Sequence, residues 1–211
     1  ADNHDPSCGS DGGVDKLFTL ELPAMATLTI DTELSAFDTL LSLMSSTCSE
    51  PSIACDDDGG SSGNSSLLTR TNIAAGLYIV AVDAYNAATV PSAFNLNVSG
   101  EVAPGGSCEG TLFQAGAITC QPGFLCDGPV GMRTCRTECS DGIDNNGDGK
   151  TDFPNDPGCA TPADSDENDV CPGVMCPVCS DGLDNDADGQ IDFPMDTSCA
   201  SAAGSSEQCE F

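Results

Sequence analysis

A tandem repeat near the C-terminal end restricts the possible folds of this chain more than any other feature. The first copy reads CSDGIDNNGDGKTDFPNDPGCA from Cys139 to Ala160, and the second reads CSDGLDNDADGQIDFPMDTSCA from Cys179 to Ala200. Each copy sets oxygen-bearing side chains at alternate positions, then a glycine, then a further aspartate. Oxygen ligands in this order, with a glycine for the sharp turn, are typical of a calcium loop. The sequence therefore predicts one calcium site in each copy.

The predicted ligands follow from the loop positions. In the first copy Asp144, Asn146 and Asp148 stand at positions 1, 3 and 5, Lys150 offers a backbone carbonyl at position 7, and Asp152 stands at position 9. The full predicted set, including recurring residues outside these positions, is Asp141, Asp144, Asn146, Asp148, Lys150, Asp152, Asp156 and Glu167 in the first copy, and Asp181, Asp184, Asp186, Asp188, Gln190, Asp192, Asp196 and Glu207 in the second.

Electrostatics and ligand chemistry favour calcium for these loops. Two carboxylates about 4 Å apart repel by about 4 kcal/mol at an effective dielectric constant near ~20, so a loop that gathers several needs a cation. Calcium accepts more oxygen ligands, more flexibly arranged, than magnesium does. Zinc is not favoured because the loops contain no histidine and their cysteines are expected in disulfides. The alternative is an acidic turn that is simply solvated.

The loops depart from an EF-hand at position 12, where Asn155 replaces the usual bidentate glutamate. Asp156 or Glu167 could take its place, and the same alternative recurs 40 residues later with Asp196 and Glu207. The Phe-Pro pair that follows each loop breaks any flanking helix. The loops therefore resemble thrombospondin type 3 repeats and other EF-hand-like calcium repeats that lack helices.

The overall charge of the chain limits its partners. There are 34 acidic residues against 5 basic ones, which gives a formal net charge of −29. This excludes nucleic acid and disfavours anionic membranes as partners. The hydrophobic content of 39% argues for a folded protein in spite of the charge.

Cysteine usage indicates an oxidising compartment, because 14 cysteines allow up to seven disulfides. The sequence begins at Ala1 with no leader or apolar membrane-spanning run, so we expect a secreted or cell-surface protein whose signal peptide has been removed. The expected pairs are Cys48–Cys55, Cys139–Cys159 and Cys179–Cys199. The connectivity of Cys108, Cys120, Cys126 and Cys135 stays open, and so do local or intersubunit partners for Cys8, Cys171, Cys176 and Cys209.

Residues 14–102 show the period-2 alternation of half-buried strands. Phe18, Leu20 and Leu22 alternate with polar residues, and Leu28 and Ile30 repeat the pattern. Further runs include Leu41 with Leu43, Phe94 with Leu96 and Val98, and the nearly apolar stretch 77–84, which is predicted to be a central strand buried on both faces. Five to eight short strands predict an antiparallel sandwich. The expected divisions are an N-terminal segment 1–13, a sandwich 14–102, a cysteine-rich module 103–136 and the repeats 137–211.

The sandwich region resembles a bacterial pre-peptidase C-terminal domain. The resemblance rests on the segments ATLTIDT, AFDTLLSL, ACDDDGGSSGNSSLL, AAGLYIVAVDAY and FNLNVSG, in this order. It implies a jelly-roll-like β-sandwich, a bacterial source, and a non-catalytic role in secretion or in binding surfaces and neighbouring proteins. The expected fold class is thus all-β, with an antiparallel sandwich followed by a disulfide-rich, calcium-stapled irregular region.

Three adjacent acidic residues, Asp56, Asp57 and Asp58, suggest a third cation site in the sandwich. In a tight loop two of them could reach one ion, joined by Asp38 or Asp83 from nearby strands. The alternative is a solvated hairpin tip.

Catalysis finds little support in the sequence. His4 is the single histidine, and none of the Ser-His-Asp, HExxH, GxSxG, P-loop or Rossmann patterns is present. Two function classes remain. In the first, the protein is a structural subunit of a surface filament or pilus-like fibre that binds copies of itself. In the second, it is a calcium-dependent adhesin, a carbohydrate-binding module that takes glycans, or the accessory region of a secreted enzyme. The first is preferred.

Overall fold

The computed structural model of the chain describes residues 8, 14–47, 52–85, 93–173 and 175–208. The chain divides into two compact units, residues 1–121 and residues 122–211. The boundary lies within the range 103–136 that the sequence suggests as a separate cysteine-rich module. Strands dominate the regular structure and helices are short, which confirms the predicted all-β class.

The first unit contains two four-stranded sheets. One sheet has the order β1-β6-β3-β4 and the other has the order β5-β2-β7-β8. All neighbouring strands run antiparallel except β7 and β8, which are parallel. The strands are β1 (Lys16–Leu22), β2 (Met25–Asp31), β3 (Thr39–Ser45), β4 (Ala54–Asp56), β5 (Leu67–Ile73), β6 (Gly76–Ala84), β7 (Asn97–Val102) and β8 (Ile118–Cys120). A single helical turn, α1 (Thr111–Gln114), precedes β8.

The predicted alternation is confirmed in β1 and in the second half of β2. In β1, Leu20 and Leu22 are buried while Thr19 and Glu21 are exposed. In β2, Leu28 and Ile30 are buried and Thr29 and Asp31 are less so, whereas a register shift next to Met25 interrupts the alternation before Leu28. Because successive side chains of a strand point to opposite faces, each of these strands supplies one apolar face to the core.

The two inner strands of the first sheet, β3 and β6, are more completely buried than its edge strand β1. In β3 every residue from Thr39 to Met44 is buried. In β6 burial on both faces holds only from Val80 to Ala84, since Leu77 at the start of the strand is 50% exposed. The prediction of two-sided burial is therefore right for the second half of this strand and wrong for the first.

The alternating run that begins at Phe94 predicts an early strand start, whereas β7 begins at Asn97. Phe94 and Asn95 lie in the loop before this strand, and Asn95 contacts another loop. The Asn95 side-chain amide donates hydrogen bonds to the backbone carbonyls of Glu33 (3.2 Å) and Leu34 (3.0 Å). A local alternation of apolar and polar residues is thus also compatible with a bridging loop.

The second unit is mostly irregular. It contains the short hairpin β9 (Leu125–Asp127) and β10 (Thr134–Arg136), the 3₁₀ turns η1 (Glu138–Ser140) and η2 (Val178–Ser180), and the short turn α2 (Asp152–Asn155). The two repeats meet through at least one hydrogen bond, in which the buried backbone N–H of Ala202 donates to the carbonyl of Pro154 at 2.8 Å.

Each of the two units contains disulfide bonds within itself. The predicted bonds Cys139–Cys159 and Cys179–Cys199 are confirmed. Cys171 pairs locally with Cys176, and the four cysteines Cys108, Cys120, Cys126 and Cys135 are also disulfide-bonded.

The predicted pair Cys48–Cys55 is wrong, because Cys55 is bonded to Cys8. Cys55 lies on the edge strand β4, and the Cα atoms of Cys8 and Cys55 are 5.8 Å apart. A short sequence separation was the only basis for the predicted pair, and it carries no information on which segment returns along a sheet edge. Cys48 lies outside the described residues.

Within the described ranges, none of the helices has the length and apolar character that crossing a bilayer requires.

Candidate metal centres

Each acidic loop is closed at its base by covalent and hydrogen bonds. The disulfides Cys139–Cys159 and Cys179–Cys199 span 20 residues each, with Cα–Cα distances of 5.6 and 5.8 Å. The backbone N–H of Cys139 donates to the carbonyl of Asp164, and that of Cys179 donates to Gly204. The segment that follows each loop therefore returns to its start, and one structural repeat extends well beyond the second cysteine.

Glu167 and Glu207, the two glutamates considered for position 12, accept hydrogen bonds from the loop backbone. Both are buried, at 0% and 1% exposure. In the first repeat the two carboxylate oxygens of Glu167 accept the backbone N–H groups of Asn145 (2.7 Å) and Asp152 (2.8 Å). Glu207 accepts the corresponding groups in the second repeat at 2.6 and 3.2 Å. Each glutamate thus ties the two ends of its loop together.

Asp152 and Asp192 close the loops from the other side. Both have φ of 54°, in the left-handed region that aspartate tolerates better than most residues. Their carboxylates accept the backbone N–H groups of Gly142 and Gly182, each at 2.8 Å. In the first repeat the same carboxylate also accepts the N–H of Asp141.

The predicted ligands at positions 1, 3 and 5 shape the loops through side-chain to backbone bonds. Asp144 and Asp184 accept the N–H groups of Gly149 and Gly189 at 2.9 and 3.0 Å. These two glycines have φ of 94° and 90°, as the sharp turn requires.

The remaining loop contacts repeat the same side-chain to backbone pattern, which lines up the acidic side chains along each loop. Asn146 accepts the N–H of Asp148, and Asp186 accepts that of Asp188; Asp148 and Asp188 in turn accept the N–H groups of Lys150 and Gln190; Asp141 and Asp181 accept those of Ile143 and Leu183.

Asp156 and Asp196, the second pair of alternatives for position 12, are the most unusual residues of the repeats. They are 0% and 1% exposed. One oxygen of each accepts a backbone N–H at 2.7 Å, from Gly158 and Ser198 respectively. The other oxygen, Oδ2, is buried and has no hydrogen-bond partner within the described part of the chain. Burying a carboxylate without a partner is costly, so these two oxygens call for a positive charge.

The pKa of Asp156 is raised to about 6, first by burial and then by the negative charges of Asp148, Glu167 and Asp169, which together outweigh the lowering effect of the hydrogen bond from Gly158. In the second repeat the pKa of Asp186 is raised, first by burial and then by the charges of Asp188, Asp196 and Asp184. Both shifts thus have the same causes, burial first and neighbouring negative charges after it.

The two repeats bring different carboxylates together. In the first, oxygens of Asp148, Asp156 and Asp169 lie within 4.8 Å of one another; in the second, those of Asp184, Asp186 and Asp188 do. Asp169 was not among the predicted ligands. Its counterpart 40 residues later is Cys209, so the comparison of the two copies, which selected the other residues, gave no signal for it.

The donor set suits a hard cation. Histidine is absent from the repeat sequences, and the cysteines of both loops are in disulfides. Cys199 lies within 4.8 Å of Asp196 and Glu207, yet its sulfur is bonded to Cys179 and offers no thiolate. Carboxylate and carbonyl oxygens without soft donors match calcium, magnesium or manganese rather than zinc or copper.

The sandwich contains a third group of acidic residues. Oxygens of Asp38, Asp57 and Asp58 lie within 4.8 Å of one another. The pKa of Asp57 is raised to about 6, first by burial and then by the negative charges of Asp58, Asp38 and Asp56. Asp56 has another role, since its carboxylate accepts the N–H groups of Gly59 and Leu67.

Of the two residues proposed to join this group, Asp38 does and Asp83 does not. Asp83 is buried in β6 and is not one of the three residues whose oxygens come together. All three members of the group are at least partly exposed, unlike Asp156 and Asp196.

No protein-family model matches the chain, and no curated protein matches its sequence. The resemblances to pre-peptidase C-terminal domains and to thrombospondin type 3 repeats therefore stay predictions.

Proposed function

We propose that this chain is an extracellular calcium-binding structural protein whose two C-terminal repeats fold around one calcium ion each. The observation that carries the proposal is the buried Oδ2 of Asp156 and of Asp196, which has no hydrogen-bond partner among the described residues. Both carboxylates lie at equivalent positions of the repeat, beside further acidic side chains. A cation in each repeat would give these oxygens the partner that they lack.

Calcium is the cation that fits best. The loops supply carboxylates, an amide oxygen and backbone carbonyls, and calcium takes six to eight such ligands in variable geometry. In the first repeat Asp148 and Asp156 would hold the ion, and in the second Asp184, Asp186, Asp188 and Asp196 would hold it. Glu167 and Glu207 support the loops from the backbone side.

Calorimetric titration of the full, oxidised chain with calcium after removal of bound metal tests this proposal. The expected result is uptake of one ion per repeat, with dissociation constants no weaker than the roughly 10⁻⁴–10⁻³ M of extracellular calcium modules. In the variant Asp156→Asn/Asp196→Asn, affinity should fall at least about tenfold at each site, because a negative ligand is lost while the side-chain shape is kept.

The matched control is Glu21→Gln, which removes an exposed carboxylate on β1 of the sandwich and should leave the titration unchanged. If the unmodified chain takes up no calcium at millimolar concentration, the proposal is wrong.

The finer part of the proposal is that the protein is a non-catalytic subunit of a filament or pilus-like fibre made of its own copies. The sandwich supports it through two seven-residue edge strands, β1 and β5, each of which pairs on one side only within the described ranges. Such strands can accept a further strand from another chain.

Electron microscopy with and without a calcium chelator tests this assembly. We expect fibres, and we expect Thr69→Lys, a charge on the exposed edge of β5, to reduce their number or length. The control Leu34→Lys places the same charge at an 88% exposed position outside the strands. A protein that stays monomeric at all calcium concentrations and binds glycans would instead favour the adhesin or carbohydrate-binding alternative.

A further inference from the structure

The two repeats differ at two positions that together conserve the number of acidic residues near the proposed ions. At loop position 3 the first repeat has the neutral Asn146 where the second has Asp186. Just after the closing glutamate, the first repeat has Asp169 where the second has Cys209. A carboxylate lost inside the first loop is thus matched by a carboxylate gained outside it.

Asp169 lies close to the other carboxylates that would hold the ion of the first repeat. One of its oxygens is within 4.8 Å of oxygens of both Asp148 and Asp156. Its Oδ1 accepts the backbone N–H of Cys171 at 2.7 Å, which holds the side chain in place next to the Cys171–Cys176 disulfide. Its Oδ2 is buried and, within the described part of the chain, has no hydrogen-bond partner.

The side chain of Asp156 gives independent evidence for a bound cation at this cluster. Asp156 is fully buried, and its own Oδ2 lacks a hydrogen-bond partner among the described residues while an oxygen of Asp169 lies close by. Two neighbouring carboxylates with unsatisfied buried oxygens repel each other unless a cation lies between them.

We propose that Asp169 is a calcium ligand of the first repeat and supplies the negative charge that Asn146 does not. This inference rests on the proposed calcium-binding function and extends it. It makes the two sites chemically distinct, since the first draws a ligand from beyond its closing glutamate and the second relies on its own loop aspartates, Asp184, Asp186 and Asp188.

The variant Asp169→Asn tests the inference in the full chain. The amide oxygen can still accept the N–H of Cys171, so the local turn is kept while the charge is removed. Calcium titration should show one site weakened at least about tenfold and the other unchanged. The matched control is Asp166→Asn, three residues earlier, where the carboxylate is exposed and caps the N–H of Asn168; both sites should then be unchanged.

A direct measurement on the unmodified protein covers the case in which the variant does not fold. A crystal structure grown with calcium should show an ion bonded to Asp169 at about 2.3–2.6 Å in the first repeat. An ion held by Asp148 and Asp156 with Asp169 out of reach would overturn the inference and leave the proposed function intact. Failure of the unmodified chain to take up any calcium would instead overturn the proposed function.

Discussion

The sandwich and the repeats bury opposite kinds of residue. The core of the sandwich is made of aliphatic side chains, among them Leu28, Ile30, Leu41, Leu43 and Val80. Between residues 137 and 208, the described chain buries no leucine, isoleucine, valine, methionine or aromatic side chain; its buried residues are cysteines, small or polar residues, a proline and four acids. Asp156, Glu167, Asp196 and Glu207 are these acids.

The difference shows two ways of stabilising a chain of this composition. Each fully buried aliphatic side chain contributes roughly 1.5–3 kcal/mol through the hydrophobic effect. The repeats bury few aliphatic side chains and so gain little from this effect. Their disulfides instead restrict the conformational freedom of the unfolded chain. Their buried carboxylates stabilise the folded chain through hydrogen bonds to the backbone, provided that the negative charge is balanced. The stability of the repeats should therefore depend on the pH and the cations in solution, while that of the sandwich should depend on the packing of its core.

Removal of calcium should produce the largest difference between the two units. Without the ion, the carboxylates of both loops repel one another, and the repeats should loosen before the sandwich does. Limited proteolysis of the oxidised protein with a chelator should cut first beyond residue 137, and added calcium should restore protection. First cuts within 14–102 would show that the sandwich is the weaker unit.

A cavity in the sandwich core should destabilise the sandwich alone and leave the repeats unaffected. Leu41 is fully buried in the central strand β3, so Leu41→Ala should lower the free energy of unfolding of the sandwich by about 2–5 kcal/mol. Calcium affinity of the repeats should stay as in the unmodified chain. Thermal unfolding and calcium titration of the same sample measure both, and a joint loss would mean that the units are energetically coupled.

Acidity should affect the repeats in opposite directions with and without calcium. The pKa of Asp156 is raised from 3.8 to about 6 in the folded state, so the folded state binds a proton more tightly than the unfolded state does. In a chelator, its contribution to stability is full below about pH 4 and is lost as the pH rises through about 6.

With calcium, the same carboxylate has to be ionised, so affinity should rise with pH over the same range. Proteolysis rates at about pH 4.5 and about pH 7.5, with chelator or with calcium, measure the two trends. Asp156→Asn should flatten the chelator curve; an unchanged curve would assign the pH dependence to other groups.

The smallest expected effect compares the repeats with each other. Gly147 has φ of 78°, and the second repeat has Ala187 at the equivalent position with φ of 63°. A Cβ at Gly147 would meet no atom within 4 Å, so Gly147→Ala should cost only the backbone strain, about 1 kcal/mol. Ala187→Gly should be neutral or slightly stabilising. Calcium-saturated thermal unfolding measures both, and a much larger loss for Gly147→Ala would point to a contact formed with the ion.

Patterns that recur in the sequence were the most predictable part of this molecule. The alternation at Leu20 and Leu22 predicted a strand because a buried face imposes period 2, and the matched cysteines predicted two disulfides. The repeat also placed Asp156 and Glu167 among the ligand candidates, but burial and hydrogen bonds were needed to separate a residue with an unsatisfied oxygen from one that holds the backbone.

Features that occur once were beyond the reach of sequence reasoning. Asp169 has no acidic counterpart in the second copy, where Cys209 takes its place, and Cys8 pairs with Cys55 across 47 residues. Both depend on which parts of the chain come together in space, which neither composition nor spacing specifies. The exposure of Leu77 in an apolar strand has the same origin, since it depends on which parts of the sheet are covered.

The bond from Ala202 to Pro154 makes the two copies nearest neighbours in a short linear array. If the first copy unfolds, the buried N–H of Ala202 in the second copy loses its acceptor, so melting of one copy weakens the other. Linear arrays of this kind gain cooperativity from the interface between adjacent units rather than from a shared core. The two copies are therefore expected to loosen together rather than one at a time.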